Sequence, residues 1–136
     1  MSCIQYHRSR VKVLKENGKS ATFTNGSLIA FEVGLVDGCL INDSRRRCDY
    51  FVRIDLKIWL IELKGRDVRT AIEQIVETTH HLRAEIGTRE CIPVIITSQS
   101  PAISGKQKEL LAMRNAGCAI SKNIVLRTRT ATISIS

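Results

Sequence analysis

The first 27 residues are mostly polar and contain turn signals, with one short alternation of apolar and polar residues between them. Asn17-Gly18 and Asn25-Gly26 are typical turn dipeptides, and residues 11 to 13 alternate Val-Lys-Val. The segment from Val36 to Ile41 is mostly apolar and β-prone. We therefore predict short strands or a hairpin within the first 27 residues and a strand over Val36–Ile41.

Two stronger strand signals follow. The segment from Arg47 to Ile54 alternates, so its even-numbered residues from Cys48 onward face one side and its odd-numbered residues from Asp49 onward face the other. The run from Ile58 to Leu63 is apolar apart from Glu62, which predicts a central strand buried on both faces. Because the connections are short, the three predicted strands should form an antiparallel meander.

The clearest helix comes after this meander. Mostly apolar positions recur at spacings of three and four residues, which forms one stripe along about five helical turns. The stripe consists of Val68, Ile72, Ile75, Thr79, Leu82 and Ile86. Asp67 is placed to cap the start of this helix, and Gly87 is placed to end it.

The last third of the chain adds one more helix and further strands. The pattern predicts a buried strand at Cys91–Thr97, a helix at Lys106–Ala116 and an exposed edge strand or hairpin at Asn123–Ser136. The sequence shows no internal repeat and no low-complexity linker. We therefore predict a single α/β domain over residues 1–136, with a central mixed β-sheet flanked by helices.

Net charge narrows the class of partner. The 136 residues include 21 Lys and Arg against 13 Asp and Glu, a net charge of +8. A positive field of this strength favours polyanions such as nucleic acid. A membrane partner is not predicted, because the sequence contains neither a basic amphipathic helix with an apolar face nor an apolar stretch of about 18 residues.

The cysteines bear on the cellular compartment. The five cysteines are widely spaced and form no C-x-x-C pair, so neither a zinc ribbon nor a disulfide framework is indicated. Cys39, Cys48 and Cys91 lie in apolar runs, where a free thiol behaves as a small buried hydrophobic group. With no signal-peptide pattern, the reducing cytoplasm is the predicted compartment.

One group of polar residues interrupts the apolar strands. Glu62 and Lys64 are separated by one residue on the predicted central strand, so both side chains leave the same face, roughly 7 Å apart. Such groups are costly to bury unless they pair or bind an ion. On the neighbouring strand, Asp49 should lie near the level of Glu62. A converging acidic pair is the minimum protein contribution to a magnesium site for phosphodiester hydrolysis.

The order Asp49, twelve intervening residues and then Glu62-Leu63-Lys64, on adjacent predicted strands before a helix, resembles the PD-(D/E)xK nuclease superfamily. That superfamily includes restriction endonucleases and Holliday-junction resolvases, and the resemblance covers roughly Val36 to Thr97. It implies a restriction-endonuclease-like fold in which Asp49 and Glu62 bind Mg²⁺ or Mn²⁺. It also implies that Lys64 orients or activates the attacking water, with the backbone carbonyl of Leu63 as a candidate further ligand.

The chain departs from the superfamily in two respects. Cys48 stands where the motif's name has Pro, and no helix bearing an acidic residue is predicted ahead of the strands. Glu32 or Asp37 is the candidate third acid, and Asp37 is better placed if its strand adjoins that of Asp49. Gln74 in the following helix weakly matches a glutamine that some members place near the site.

Clustered arginines flank the acidic residues and are predicted to hold nucleic-acid phosphates, with a solvated turn as the alternative for the first three. They are Arg45, Arg46, Arg47, Arg66 and Arg69. The predicted function is therefore Mg²⁺-dependent endonucleolytic cleavage of DNA, with RNA as the second choice. A homodimer is compatible with this prediction, because duplex or junction cleavage needs two cuts.

Two alternatives to a working nuclease stay open. The first is a catalytically inactive nuclease-fold module that binds nucleic acid or regulates a partner. The second is an interaction protein in which Glu62 and Lys64 merely pair. Metal-dependent cleavage separates the first alternative from a nuclease, and salt-dependent nucleic-acid affinity separates it from the second.

Overall fold

The computed structural model describes residues 2–63, 68–98 and 124–136. Within these ranges the chain forms nine strands and two helices. In chain order they are β1 (Ile4–His7), β2 (Val11–Glu16), β3 (Lys19–Thr24), β4 (Phe31–Leu35), β5 (Tyr50–Ile54), β6 (Lys57–Glu62), α1 (Val68–His81), α2 (Arg83–Ile86), β7 (Glu90–Thr97), β8 (Val125–Thr128) and β9 (Thr130–Ser134).

The strands make a six-stranded mixed sheet of order β1-β4-β5-β6-β7-β8 and a three-stranded sheet of order β2-β3-β9. In the larger sheet β4, β5 and β6 form an antiparallel meander, and β7 and β8 join in parallel. In the smaller sheet β2 and β3 form a hairpin across Asn17-Gly18, and β9 lies parallel to β3. The predicted mixed α/β architecture and the early hairpin are confirmed. An antiparallel meander is present, but its first strand is β4 and not the predicted Val36–Ile41. Among the described residues, the three-stranded sheet and not a second helix covers the face opposite α1.

The prediction of a strand over Val36–Ile41 is wrong, because the strand lies earlier in the chain, at Phe31–Leu35. Residues 36–41 form a tight turn in which the N–H of Ile41 donates to the carbonyl of Val36 at 2.9 Å. Gly38 adopts a φ of 81°, a conformation that Gly reaches at little cost and that ends a strand. Val36 and Ile41 are buried at the two ends of the turn, and Leu40 is partly buried.

The prediction for β6 is confirmed and that for β5 holds only in part. Every residue of β6 after Lys57 is buried, as expected for a central strand covered on both faces. In β5, Val52 and Ile54 pack toward one hydrophobic cluster and Phe51 toward the other. Cys48 packs with Phe51 and not with Val52, so the predicted alternation breaks down ahead of the strand.

The helical stripe is buried as predicted, but the helix is interrupted. α1 ends at His81, and the short α2 follows after Leu82. Gly87 ends α2 with a φ of 59°, as its C-terminal position predicted. The proposed cap Asp67 and the helix predicted at Lys106–Ala116 lie outside the described residues.

Hydrophobic clusters cover both faces of the six-stranded sheet. One fills the space between this sheet and the three-stranded sheet, and the other lies beneath α1. In the predicted tail, β8 is an edge strand, as expected, but β8 and β9 belong to different sheets and form no hairpin. Arg129, with a φ of 65°, lies between them where the chain passes from one sheet to the other.

The prediction that Cys39 is a buried free thiol is wrong, because Cys39 forms a disulfide with Cys3 across a Cα–Cα distance of 5.6 Å. Cys48 and Cys91 are buried free thiols as predicted. Disulfides are rare in reducing compartments, so this bond does not favour the cytoplasmic location, which stays a prediction. Among the described residues, no helix is long and apolar enough to cross a membrane.

Opening the Cys3–Cys39 disulfide is expected to lower the free energy of unfolding by about 2–4 kcal/mol, because the closed loop restricts the unfolded chain. Urea unfolding of Cys3→Ser and Cys39→Ser should show equal losses. Dithiothreitol should destabilise the wild type and leave both variants unchanged. A wild type that is insensitive to the reductant would show that the bond does not form in solution.

Candidate functional site

Two buried carboxylates lie side by side where β5 begins and β6 ends. Tyr50 pairs with Ile61 across these antiparallel strands, and the N–H of Asp49 donates to the carbonyl of Ile61 at 3.0 Å. This register puts Asp49 beside Glu62, in agreement with the level expected from the sequence. Asp49 is 3% exposed and Glu62 is 0% exposed. An acidic pair is thus buried at one end of a strand pair in the interior of the six-stranded sheet.

Backbone and side-chain hydrogen bonds hold Asp49 in place. Its Oδ2 accepts the N–H of Leu63 at 2.7 Å, which ties β5 to the residue that follows β6. Its carbonyl accepts the N–H groups of Val36 and Asp37 at 3.0 and 3.3 Å, so the 36–41 turn is fastened to the same residue. Asp49 is therefore fixed from both neighbouring strands before any ligand binds.

Helix α1 is joined to the same end of the sheet through Thr78. The N–H of Cys48 donates to Thr78 Oγ1 at 2.8 Å, and this hydroxyl in turn donates to the carbonyl of Gln74 at 2.7 Å. Thr78 is fully buried. Sequence reasoning missed this residue, although a polar residue on the buried side of an amphipathic helix is a signal for a specific contact. Through Thr78, α1 fixes the position of the residue preceding Asp49.

Glu62 has a different environment from Asp49. Among the described residues, neither of its carboxylate oxygens has a hydrogen-bond partner. Burial, followed by the negative charge of Asp49, raises the pKa of Glu62 to about 9. Two ionised carboxylates side by side repel each other, and no described residue donates a hydrogen bond to the Glu62 oxygens to offset this repulsion. The pair is therefore suited to share a proton or to bind a cation.

Lys19 is a basic residue near the pair that sequence reasoning missed. It begins β3 in the three-stranded sheet and is only 5% exposed. Its positive charge lowers the pKa of Glu62, partly opposing the effect of burial. The signal was present, because Lys19 takes the inward position in the alternation that continues through Ala21 and Phe23. A lysine at such a position is buried at a cost that an acidic neighbour offsets.

A pocket of about 250 Å³ opens beside the acidic pair on the α1 side of the sheet. It is lined by Asp37, Arg45, Arg46, Arg47, Asp49 and Gln74. All six were candidate site residues from the sequence. The fold brings them together from three places, which are the 36–41 turn, the segment that precedes β5, and helix α1. Within the described part of the chain, Gln74 Oε1 is a buried acceptor with no hydrogen-bond partner.

The three arginines of this pocket form ion pairs with nearby carboxylates. The pairs are Arg45 with Asp43, Arg46 with Glu73, and Arg47 with Asp37. The Arg45 and Arg46 side chains are 48% and 59% exposed, so their ion pairs are weak and can exchange for a phosphate. Arg47 is less exposed, at 27%, and its Nε lies 2.9 Å from Asp37, which holds the turn against the site.

Several residues that were predicted for the site lie away from the pocket or fall outside the described residues. Glu32 accepts two hydrogen bonds from Arg53 at 3.0 Å each. It pairs with Arg53 of β5, at the opposite end of the β4–β5 pair from Asp49. Arg69 is exposed on α1, where its Nε lies 3.7 Å from Glu73. Lys64 and Arg66 lie outside the described residues. Of the two candidate third acids, the structure therefore brings Asp37, and not Glu32, to the pocket.

The donor set fits a hard divalent cation in part. Within residues 2–63, 68–98 and 124–136, no group of three or more His, Cys, Asp and Glu side chains is arranged to hold a metal ion. Magnesium commonly uses one or two carboxylates with water and substrate phosphate, and the Asp49–Glu62 pair meets that minimum.

Comparison of the chain with protein-family models, curated proteins and solved structures finds no match. The chemistry must therefore be inferred from the side chains themselves.

Proposed function

We propose that the protein is a Mg²⁺-dependent nuclease that hydrolyses phosphodiester bonds in DNA. The observation that supports this function best is the buried Asp49–Glu62 pair beside a pocket lined by three arginines. A buried acidic pair is costly unless a cation compensates it, and arginines beside it suit an anionic substrate. We also propose that the meander and α1 are arranged as in restriction endonucleases. DNA is proposed over RNA only because of the resemblance to the PD-(D/E)xK nucleases.

Each residue of the site then has a defined task. Asp49 and Glu62 would hold the cation, and a bound Mg²⁺ would supply Lewis-acid stabilisation and an activated water. Asp49 needs no rearrangement, because the N–H of Leu63 already fixes its carboxylate. Arg45 and Arg46 would exchange their exposed ion pairs for substrate phosphates. Lys64, two residues after Glu62, is proposed to orient the attacking water.

A second candidate function is a nuclease-shaped module that binds nucleic acid without cleaving it. The observation that favours it is the ion pair between Asp37 and Arg47, which engages the candidate third acid. In this case the basic pocket would bind a phosphate, and the acidic pair would serve only to keep the local structure. A homodimer is compatible with either function and stays a prediction.

The test is cleavage of supercoiled, branched and single-stranded DNA, and of RNA, with Mg²⁺ or Mn²⁺ and with EDTA. Wild-type protein should cleave DNA only with metal, and Glu62→Gln and Lys64→Ala should each lose at least about 100-fold in rate. Glu77→Gln is a matched control, because Glu77 lies on α1 with a 46% exposed side chain. Cleavage that survives Glu62→Gln would rule out the mechanism. Binding without cleavage by the wild type would support the second candidate.

A further inference from the structure

A second cleft, larger than the site pocket, lies on the opposite face of the sheet. It has a volume of about 380 Å³ and is formed by β1, β2 and β4 together with Cys39 and Tyr50. Three strands cannot cover a six-stranded sheet, and β2 is the edge strand of the smaller one. The inner faces of β1 and β4 are therefore left open next to β2. We call this space the Lys12–Lys15 cleft, after the two lysines that line it.

The chemistry of the Lys12–Lys15 cleft favours an anion. Lys12 and Lys15 line it, and none of its lining residues, all of which are described, is Asp or Glu. The Glu16 carboxylate beside the cleft accepts the hydroxyl of Tyr50 at 3.1 Å. Val33 and Leu35 form an apolar part of its wall. His7 also lines the cleft, and burial together with the charge of Lys12 lowers its pKa, which favours the uncharged ring. A ligand of this cleft would meet positive charge, apolar surface and an uncharged imidazole.

His7 adds an aromatic ring to the wall of the cleft. The ring stacks on Phe31 with centroids 5.6 Å apart, which fixes its orientation. Its Nε2 is buried, so this atom does not face a ligand in the cleft. His7 therefore contributes ring surface to the cleft rather than a hydrogen bond from Nε2.

The cleft and the site pocket are separated by very little protein. Asp37 and Asp49 line the site pocket, whereas Cys39 and Tyr50 line the cleft. The two cavities therefore meet the same turn and the same strand end from opposite sides. The Tyr50 hydroxyl donates to Glu16 at 3.1 Å, which keeps its ring between the two sheets.

From this geometry we propose that the Lys12–Lys15 cleft binds a single-stranded segment of the nucleic acid whose adjoining part occupies the site pocket. This inference rests on the proposed function for the class of ligand. Single strands are usually bound without sequence preference by basic residues along the phosphate backbone and by aromatic rings on which bases stack. Lys12 and Lys15 would supply the charge, and Tyr50 and His7 are the rings that line the cleft. A duplex is too wide to enter a recess of this size between two sheets. A small anion would leave most of the apolar wall unused.

The test is a binding measurement in EDTA, where cleavage cannot occur. Fluorescence anisotropy of labelled oligothymidylate and of a blunt duplex should be compared for wild type and Lys12→Gln/Lys15→Gln. The double variant should bind the single strand about 10-fold more weakly, and the slope of log affinity against log salt should fall by about 1.4. Duplex affinity should change little. Lys57→Gln/Arg83→Gln removes two exposed charges elsewhere and serves as the matched control.

Each result has a clear meaning. Equal losses in the control, or equal losses for duplex and single strand, would show that only net charge matters and would overturn the inference. Thymidine monophosphate that binds as tightly as the oligonucleotide would also overturn it, because the cleft would then be a small-ligand site. If the wild type binds single strands through the cleft but cleaves no substrate, the proposed nuclease function is wrong and the proposed single-strand site in the cleft is supported. Thermal melting should show that both double variants are folded.

Discussion

Replacing Glu62 with Gln is expected to stabilise the metal-free protein while abolishing metal-dependent cleavage. Glu62 is 0% exposed, and among the described residues its carboxylate oxygens have no hydrogen-bond partner. Burial and the charge of Asp49 raise its pKa to about 9, so folding disfavours the ionised form. A neutral amide of the same shape removes this penalty. We expect a gain of about 1–3 kcal/mol in the free energy of unfolding near neutral pH.

The gain should depend on pH in a defined direction. Because the pKa of Glu62 is raised on folding, its contribution is most favourable below about pH 4.5 and is lost as the pH rises to about 9. Glu62→Gln does not titrate, so its advantage over the wild type should be small at pH 5 and larger at pH 8.5. Urea unfolding in EDTA at these two values measures the difference. A variant that is less stable than the wild type at pH 8.5 would contradict this account.

Magnesium should reverse the order of stability. A cation bound between Asp49 and Glu62 stabilises the folded wild type by mass action, whereas Glu62→Gln has lost one of the two carboxylates. The melting temperature of the wild type should therefore rise with millimolar Mg²⁺ and that of the variant should not. A wild type whose melting temperature is insensitive to both Mg²⁺ and Mn²⁺ would argue against a metal site at this pair.

The parts of the fold that the sequence predicts best are those with a complete hydrophobic pattern. β6 is buried on both faces and α1 along one stripe, and both patterns can be read without knowledge of their partners. The acidic pair could be located for the same reason, because Glu62 interrupts an otherwise apolar strand. Its register with Asp49 followed from the short connection between β5 and β6.

The errors arise where tertiary contacts override local pattern. The apolar segment Val36–Ile41 is a turn, since Gly38 at a φ of 81° reverses the chain and the core buries Val36 and Ile41. β9 joins β3 in parallel, so that Ser20 and Thr130 are partners 110 residues apart. No local signal specifies such a pairing. Lys19 was overlooked because a lysine in an alternating strand is normally read as exposed.

The site depends on residues from both sides of the sheet, which limits what a linear motif can reveal. Asp49 and Glu62 come from the meander, and the pocket arginines precede β5. Gln74 reaches the pocket from α1, while Lys19 acts on Glu62 from the three-stranded sheet. The motif identifies the acidic pair alone. The pocket arginines were candidates from the sequence, but the effect of Lys19 on Glu62 becomes visible only when the two sheets are assembled.

Asp49→Ala should have the opposite effect on stability to Glu62→Gln, although both changes remove one carboxylate of the same pair. Asp49 Oδ2 accepts the N–H of Leu63 at 2.7 Å, and Ala leaves this buried donor without its acceptor. We expect a loss of about 1–3 kcal/mol in the free energy of unfolding. Cleavage should fall at least about 100-fold, because the variant lacks one of the two carboxylates proposed to hold the cation.

Asp49→Asn is the matched control, because its amide oxygen can still accept the hydrogen bond from Leu63. This variant should keep most of the wild-type stability, or exceed it by relief of repulsion with Glu62, and yet lose cleavage to the same extent as Asp49→Ala. Urea unfolding in EDTA and plasmid cleavage in Mg²⁺ separate the two properties. Equal destabilisation by Ala and Asn would show that the hydrogen bond to Leu63 does not hold the strand ends together. Cleavage retained by Asp49→Asn would show that the charge of Asp49 is not required for the reaction.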